Sequence, residues 1–310
     1  MREDKLKVGI VGTGHMGLNH ARLYKQIKNA TLVAICDSNA KRARAVSRIL
    51  RVRSYTSTTS MLEKEKLDAV SVAVPTRDHY KTAAEAIRRG VSVLVEKPLT
   101  EDVQSARRLI DLARKKKVVL MVGHLLRFNP AINAMKNALR RRTIGRVIAA
   151  CITRIGARPE RSKNVGVIQD LAVHDFDLAR YLFESEVDDL RVHTKLTENR
   201  SFEDYSLITM RMKNGVLVTS ENVWSRTGSF SQRSARVIGT KGVAVAGLSP
   251  PRLTIYTNKG TSRPPLRGDT LQLELEHFLS CVKNREKPRA SGLDGLIAVQ
   301  LVRRALELGR

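Results

Sequence analysis

Two short stretches of this chain combine residues able to move protons and stabilise charge. The first is Glu96-Lys97-Pro98-Leu99, which closes an apolar run beginning at Ser92. A strand ending there puts an ammonium at the carboxyl edge of a sheet, where ligands of open α/β folds bind. A lysine so placed can hydrogen-bond a reacting oxygen and stabilise negative charge as it develops; the plain alternative is a lysine that only closes a strand. The second stretch is Asp170-Leu171-Ala172-Val173-His174-Asp175-Phe176-Asp177, whose apolar positions continue through Leu178, Tyr181 and Leu182 at helical spacing. If the helix has begun by Asp170, then Asp170 and His174 share one face. The carboxylate can then orient the imidazole and stabilise its protonated form, while the imidazole has a pKa suited to proton transfer. The alternative is an aspartate favoured by the helix dipole beside a satisfied histidine. An Asp/His pair could also serve a metal, but catalytic zinc wants three protein ligands and no helical His-x-x-x-His is present, so no metal is expected.

A third constellation binds rather than reacts. The apolar run from Lys7 stops in Gly12-Thr13-Gly14-His15-Met16-Gly17, where a helical pattern takes over. Gly12 permits the tight turn out of a strand, Gly14 lets backbone approach a pyrophosphate, and Gly17 lets the following helix pack closely on the sheet. The pyrophosphate would rest on free N–H groups at the helix N-terminus. A second apolar run, Thr31–Cys36, ends in Asp37, ~20 residues past the glycines, where a ribose-binding acid belongs. Asp37 can accept ribose hydroxyls and repels a 2′-phosphate, so NAD is the expected cofactor. Ser38, Lys41 and Arg42 are the opposing detail, able to hold a phosphate, and NADP stays open.

These residues need a frame. Six β-branched runs, Lys7–Val11, Thr31–Cys36, Val52–Tyr55, Ala69–Val74, Ser92–Glu96 and Val118–Val122, alternate with amphipathic helical stretches. That is the pattern of a doubly wound parallel sheet. After Gly123 a helix starting at Pro130 leads into a long strand, Gly145–Ile155, and then into alternating runs at Ser206–Met212, Val216–Val223 and Ala235–Ile238 with a Lys213-Asn214-Gly215 turn. These predict a mostly antiparallel sheet. Helices are expected over Leu271–Lys283 and Gly292–Leu308. The fold class is therefore α/β: a dinucleotide-binding Rossmann domain over 1–122, then an α+β substrate domain over 123–310, with helix 292–308 able to return to the first domain.

With 56 Lys+Arg against 30 Asp+Glu the net charge is +26, which attracts anions: phosphorylated metabolites, nucleic acid or anionic membranes. Most basic residues recur on amphipathic helices, as Lys41, Arg42, Arg44, Arg48 and Arg51 do. Aromatic residues are only 4%, too few for base-stacking platforms. Nucleic-acid contact is expected to be incidental. Cys36, Cys151 and Cys281 are odd in number and lie in apolar contexts, so they read as reduced core residues. Neither a signal peptide nor an 18-residue apolar run occurs, so a cytoplasmic protein with no membrane contact is expected.

Taken in order, Gly12-x-Gly14-x-x-Gly17, Glu96-Lys97-Pro98, Arg127-Phe128-Asn129-Pro130 and Asp170-x-x-x-His174-Asp175-x-Asp177 closely resemble the glucose-fructose oxidoreductase/inositol dehydrogenase (Gfo/Idh/MocA) family. The likeness spans the chain, down to Ala290-Ser291-Gly292-Leu293-Asp294-Gly295 before the final helix. It implies a Rossmann domain followed by an open-faced α/β domain, with cofactor and a sugar-like substrate meeting between them in a homo-oligomer, dimer or tetramer. By position, Lys97 would bridge substrate and nicotinamide ribose, His174 would be the general base and Asp170 its partner. Val74-Pro75-Thr76 and His79 match the loop lining the cofactor, and Arg127 and Asn129 the segment near the nicotinamide.

Asn164–Gln169 departs from the glycine-richer stretch of many relatives. His124–Pro130 and Val165-Gly166-Val167 are most similar to UDP-N-acetylglucosamine 3-dehydrogenase-type members. A diphosphate-bearing substrate would be drawn to Arg154, Arg158 or Arg161 if that loop borders the cleft; the plain alternative is that each is a solvated side chain. The expected activity is NAD-dependent oxidation of a sugar's secondary alcohol, with a nucleotide sugar such as UDP-N-acetylglucosamine at C3 as the substrate. The alternatives are an inositol or simple aldose dehydrogenase and, outside enzymes, an NAD-binding regulatory protein that uses its basic surface on nucleic acid.

Overall fold

Short β-branched runs with every residue buried can only be strands covered on both faces, and Ala69–Val72 and Ser92–Val95 are such runs. The computed structural model describes residues 5–162, 164–197, 201–225 and 230–309. Its first sheet comprises β1 (Leu6–Val11), β2 (Ala30–Cys36), β3 (Arg53–Tyr55), β4 (Ala69–Val72), β5 (Ser92–Val95) and β6 (Leu120–Val122). All pairings are parallel and the order is β3-β2-β1-β4-β5-β6. The order reverses between β1 and β4, which opens a crevice at the carboxyl edge there. The connecting helices are α1 (His15–Tyr24), α2 (Ala40–Leu50), α3 (Thr58–Lys64), α4 (Thr76–Arg88) and α5 (Val103–Lys116). Local chemistry sets their starts: Asn39 accepts from the Arg42 N–H at 3.0 Å and Asp102 from the Ser105 N–H at 2.8 Å.

Strands β4 and β5 end earlier than the apolar runs suggest. Val74 and Glu96 lie beyond the last paired residues, Val72 and Val95, because the chain turns away there. The residues of chemical interest therefore sit in exit turns, not in the ladder.

The second half forms α6 (Pro130–Arg140), β7 (Val147–Ala157), α7 (Val173–Phe183) and the strands β8 (Val187–Lys195), β9 (Tyr205–Met212), β10 (Leu217–Ser225), β11 (Gln232–Gly239), β12 (Gly242–Leu248), β13 (Pro251–Thr257) and β14 (Gly260–Ser262). Asn129 starts α6 by accepting from the Ala131 and Ile132 N–H groups, with Pro130 supplying no donor to satisfy. The eight-stranded order is β14-β13-β12-β11-β7-β10-β9-β8, antiparallel except for the β7–β10 pair. One face carries Ala150, Ile152, Val218, Ile208, Met210 and Val237, all buried. There α6 packs on β12 and β13, and the turn before α7 packs on β10.

Two late helices follow, α8 (Thr270–Asn284) and α9 (Gly292–Leu308). The compact units are Met1–Leu125 with Leu271–Val299, and Leu126–Thr270 with Gln300–Arg310. All three cysteines are free thiols, but Cys151 is half-buried on β7 and is not a core residue as its apolar context suggested; the strand's alternation turns it away from the covered face. No helix among the described residues is long and apolar enough to cross a membrane.

Candidate active site

Glycine geometry builds the cradle. Gly12 has φ +90°, and a Cβ there would stand 2.5 Å from the Ala73 carbonyl oxygen; one on Gly17 would stand 1.8 Å from the Gly12 carbonyl oxygen. Neither position admits a side chain, which is how β1, β4 and α1 come so close. Gly14 differs: nothing lies within 4 Å of where its Cβ would be. It is also the residue before α1, whose first N–H groups no side chain caps. Open space beside a bare helix N-terminus fits a dinucleotide pyrophosphate. His15 is exposed and Met16 half-buried on the first turn.

Asp37, just past β2, is tied to this loop. Its Oδ2 accepts from the Thr13 N–H and hydroxyl, both at 2.8 Å, and its Oδ1 from the Asn39 N–H at 2.9 Å; Arg42 Nη1 lies 3.5 Å away. Burial pushes the carboxyl up, but the donors of Thr13 and Asn39 and the nearby guanidinium outweigh it and hold it below the usual range. A carboxylate has about four lone-pair sites, so acceptor capacity remains for ribose hydroxyls. Ser38 is exposed beside it.

The β4 exit carries Val74, Pro75 and Thr76, the last opening α4. His79, one turn into α4, does not project outward. It is 1% exposed, with Nδ1 2.8 Å from the Pro98 carbonyl oxygen and Nε2 2.9 Å from that of Val74. At the β5 exit Lys97 is half-buried, and its backbone N–H donates to Glu96 Oε2 at 3.3 Å. Glu96 Oε1 lies 3.1 Å from His20 Nε2 of α1. Burial pushes Glu96 up, but His20, Lys97 and His79 together hold its carboxyl below the usual range. In a parallel sheet all strand exits share one edge, so the glycine turn, Asp37, the Val74–Thr76 loop and Lys97 border the same crevice.

The second unit holds the other constellation in an unexpected form. Residues Ile168–Ala172 make a π-helical turn, and α-helical bonding resumes at Val173. The regular α-helix expected from Asp170 onward is thus corrected: one wide turn precedes it, the type of local insertion that recurs at functional sites. Asp170, half-buried, accepts from the Ser162 hydroxyl at 2.8 Å, and His174 is half-buried on the first turn of α7. Glu203, which carried no signal in the sequence, fixes this turn: its Oε1 accepts from the Ile168 N–H at 3.0 Å, and its carboxylate lies where a Gly166 side chain would be.

Arg127 and Asn129 are drawn inward. Arg127 grips Asp177 with two arms, Nε to Oδ2 at 2.9 Å and Nη2 to Oδ1 at 2.7 Å, and stacks over Tyr181. Asn129 caps α6 and donates to the Leu248 carbonyl at 3.0 Å. Arg154 is likewise buried, paired with Asp175, which also accepts from the Ser220 hydroxyl at 2.8 Å. It is therefore not a surface cation for a diphosphate, because the covered face of the sheet encloses it. Arg158 bonds the Ser162 carbonyl and lies over Trp224; the side chain of Arg161 lies outside the described residues. The sequence did not single out His20 or Glu274 either. His20 shares the buried stripe of α1 with Gly17 and Tyr24, a polar residue on an apolar face, which was the available signal. Among the described residues no three His, Cys, Asp or Glu side chains gather as a metal site.

Comparison with known proteins agrees with this geometry. Residues 6–124 match the model of the oxidoreductase family with an NAD-binding Rossmann fold, Gfo/Idh/MocA, and residues 132–245 match the Gfo/Idh/MocA C-terminal domain. The chain is 31% identical to UDP-N-acetylglucosamine 3-dehydrogenase of Acidithiobacillus ferrooxidans, covering 97% of each chain. It is 29% identical to the scyllo-inositol 2-dehydrogenase (NAD(+)) of Bacillus subtilis, over 96% of this chain and 92% of that one. The solved structure of the Acidithiobacillus enzyme superposes with a TM-score of 0.89 over 98% of both chains. A glycine cradle with open space at Gly14, an acid at the β2 exit and full-length likeness to named dehydrogenases lead to one assignment: this chain is an oxidoreductase of the Gfo/Idh/MocA family, a dehydrogenase with an NAD-binding Rossmann fold.

Proposed function

We propose that this dehydrogenase oxidises a secondary alcohol of a nucleotide sugar, UDP-N-acetylglucosamine at C3, to the ketone. The observation that carries the reaction type is Lys97 on the exit of β5, at the same sheet edge as the glycine cradle and Asp37. The substrate class is supported by the 31% identity that runs the full length of a UDP-N-acetylglucosamine 3-dehydrogenase and by the +26 charge, which favours a diphosphate-bearing ligand.

In this reading Gly12 to Gly17 hold the pyrophosphate and Asp37 the adenosine ribose, with Ser38 beside it. Val74, Pro75, Thr76 and the Glu96-Lys97 turn line the nicotinamide side. Arg127 and Asn129 support that side through the segment they hold. When bound, NAD would supply the acceptor for the hydride of the carbinol carbon. His174 takes the hydroxyl proton, Asp170 stabilises the resulting imidazolium, and the Lys97 ammonium steadies the developing alkoxide, so charge is neutralised as the hydride departs. The test is to follow the appearance of reduced nicotinamide while UDP-sugars, inositols and free aldoses are offered in turn. Rapid reduction with UDP-N-acetylglucosamine alone is the expected result. A preference for an inositol would move the protein to the second reading, which the likeness to the Bacillus inositol dehydrogenase favours.

A further inference from the structure

His79 has a contact pattern that burial by itself does not account for. Its two ring nitrogens face two carbonyl oxygens, Pro98 at 2.8 Å and Val74 at 2.9 Å, and the ring is 1% exposed. A carbonyl oxygen only accepts, so each contact is a hydrogen bond only when that nitrogen carries a proton. A neutral imidazole has one N–H; the imidazolium has two. The two acceptors belong to different exits: Val74 follows β4, and Pro98 follows Lys97 after β5. The ring is thus the crosspiece between the loop proposed to line the nicotinamide and the turn that carries the lysine.

We propose that His79 is a positioning residue, a clasp that ties the β4 exit to the Lys97-Pro98 turn and thereby sets where the Lys97 ammonium stands. It closes on both carbonyls as the imidazolium and on one as the neutral ring. The inference rests on the reading of Lys97 as the group that steadies the alkoxide.

The charges around the clasp fit it. The charge of Glu96 at the β5 exit acts on the ring, His20 of α1 touches Glu96, Lys97 adjoins it, and Glu274 of α8 is close enough to feel the Glu96 charge. Burial draws the His79 pKa below the usual histidine value, while the Pro98 and Val74 carbonyls, the Glu96 charge and, least, the Leu99 backbone push back. A rise in pH therefore removes one arm of the clasp on the acid side of ordinary histidine titration, and one carbonyl is then left against a ring lone pair.

The test uses the full-length enzyme with NAD and whichever sugar the survey above shows it to oxidise. His79→Ala is expected to lower kcat by about 10- to 100-fold, the scale of a misplacement near 1 Å, with a smaller change in sugar KM. His79→Gln, which keeps a donor for one carbonyl, is expected to recover part of the loss. In a Lys97→Ala background, His79→Ala is expected to cost little more, because the lysine it positions is gone. Nitrogen-15 spectra of the wild type, with the His79 signal identified by its absence in His79→Gln, should show ring protons protected from solvent, two at acid pH and one above.

An equal kcat loss in both backgrounds overturns the positioning role. Unprotected ring protons, with Lys97→Ala still inactive, overturn the clasp while leaving the lysine reading intact. Near-wild-type turnover in Lys97→Ala overturns the lysine reading, and the positioning role with it.

Discussion

The Asp37 carboxylate and Thr13 are locked together by two hydrogen bonds of 2.8 Å, one from the Thr13 N–H and one from its hydroxyl. The acid proposed to meet the ribose thus also fixes the glycine loop. Hydrogen bonds to a charged group contribute about 1.5–3 kcal/mol each, so Asp37→Ala is expected to weaken NAD binding by about tenfold or more. The wild type should bind NAD more tightly than NADP, and Asp37→Ser should narrow that preference. Titration of both cofactors by calorimetry measures this; an NADP preference in the wild type would contradict it.

The same carboxylate sets an acid limit. Its pKa is lowered in the folded chain, so its stabilisation is fully present above the unfolded aspartate value and is lost as pH falls through the lower folded value. Asp37→Asn should be less stable than wild type at neutral pH, and the gap should close toward acid. Thermal unfolding between about pH 3 and 7 checks it, the lower end lying just below the unfolded value near 3.9.

Lys97→Ala and His174→Ala should each reduce turnover by roughly 10²- to 10⁴-fold, the range of a general base or a charge-stabilising group. NAD binding should persist, because the cradle and Asp37 are untouched. Turnover within a few-fold of wild type in both variants would remove them from the mechanism.

Arg127 and Asp177 are both buried and meet with two-armed geometry. Removing one partner strands the other charge, which costs about 3–5 kcal/mol. Asp177→Leu or Arg127→Leu should each lower the melting temperature sharply, whereas the double variant should recover a good part of the loss. A double variant worse than either single would show that the pair is not the main term.

Glu274 is fully buried in the first unit, and among the described residues its carboxyl oxygens find no hydrogen-bond partner. Burial and the nearby Glu96 charge raise its pKa well above the usual value, so the folded chain keeps this proton to higher pH than a free carboxyl does. The sign is opposite to that of Asp37: a proton held by the folded chain and released by the unfolded one makes stability fall as pH rises above the unfolded glutamate value. Glu274→Gln should therefore gain on wild type as pH rises above the unfolded value near 4.3. A pH-independent difference in melting temperature would refute it.

Much of this was legible in the chain itself, because it depends on neighbours in sequence. The cradle could be read because Gly12 takes φ +90° in the turn and Gly17 meets the Gly12 carbonyl within one strand-turn-helix, and the six parallel strands because β-branched runs alternate with amphipathic helices. The antiparallel second sheet was visible in period-two patterning and in the Lys213-Asn214-Gly215 turn, where Gly215 takes φ +85°. What required the folded chain was the partner of each polar residue. Nothing in the sequence pairs Arg127 with Asp177, Arg154 with Asp175 or His20 with Glu96, nor sets the Glu203 carboxylate against the π turn. A periodic pattern states which face of an element is buried, but a hydrogen bond or buried charge pair depends on distances between atoms far apart in sequence. Packing sets those distances, and packing is a property of the whole fold.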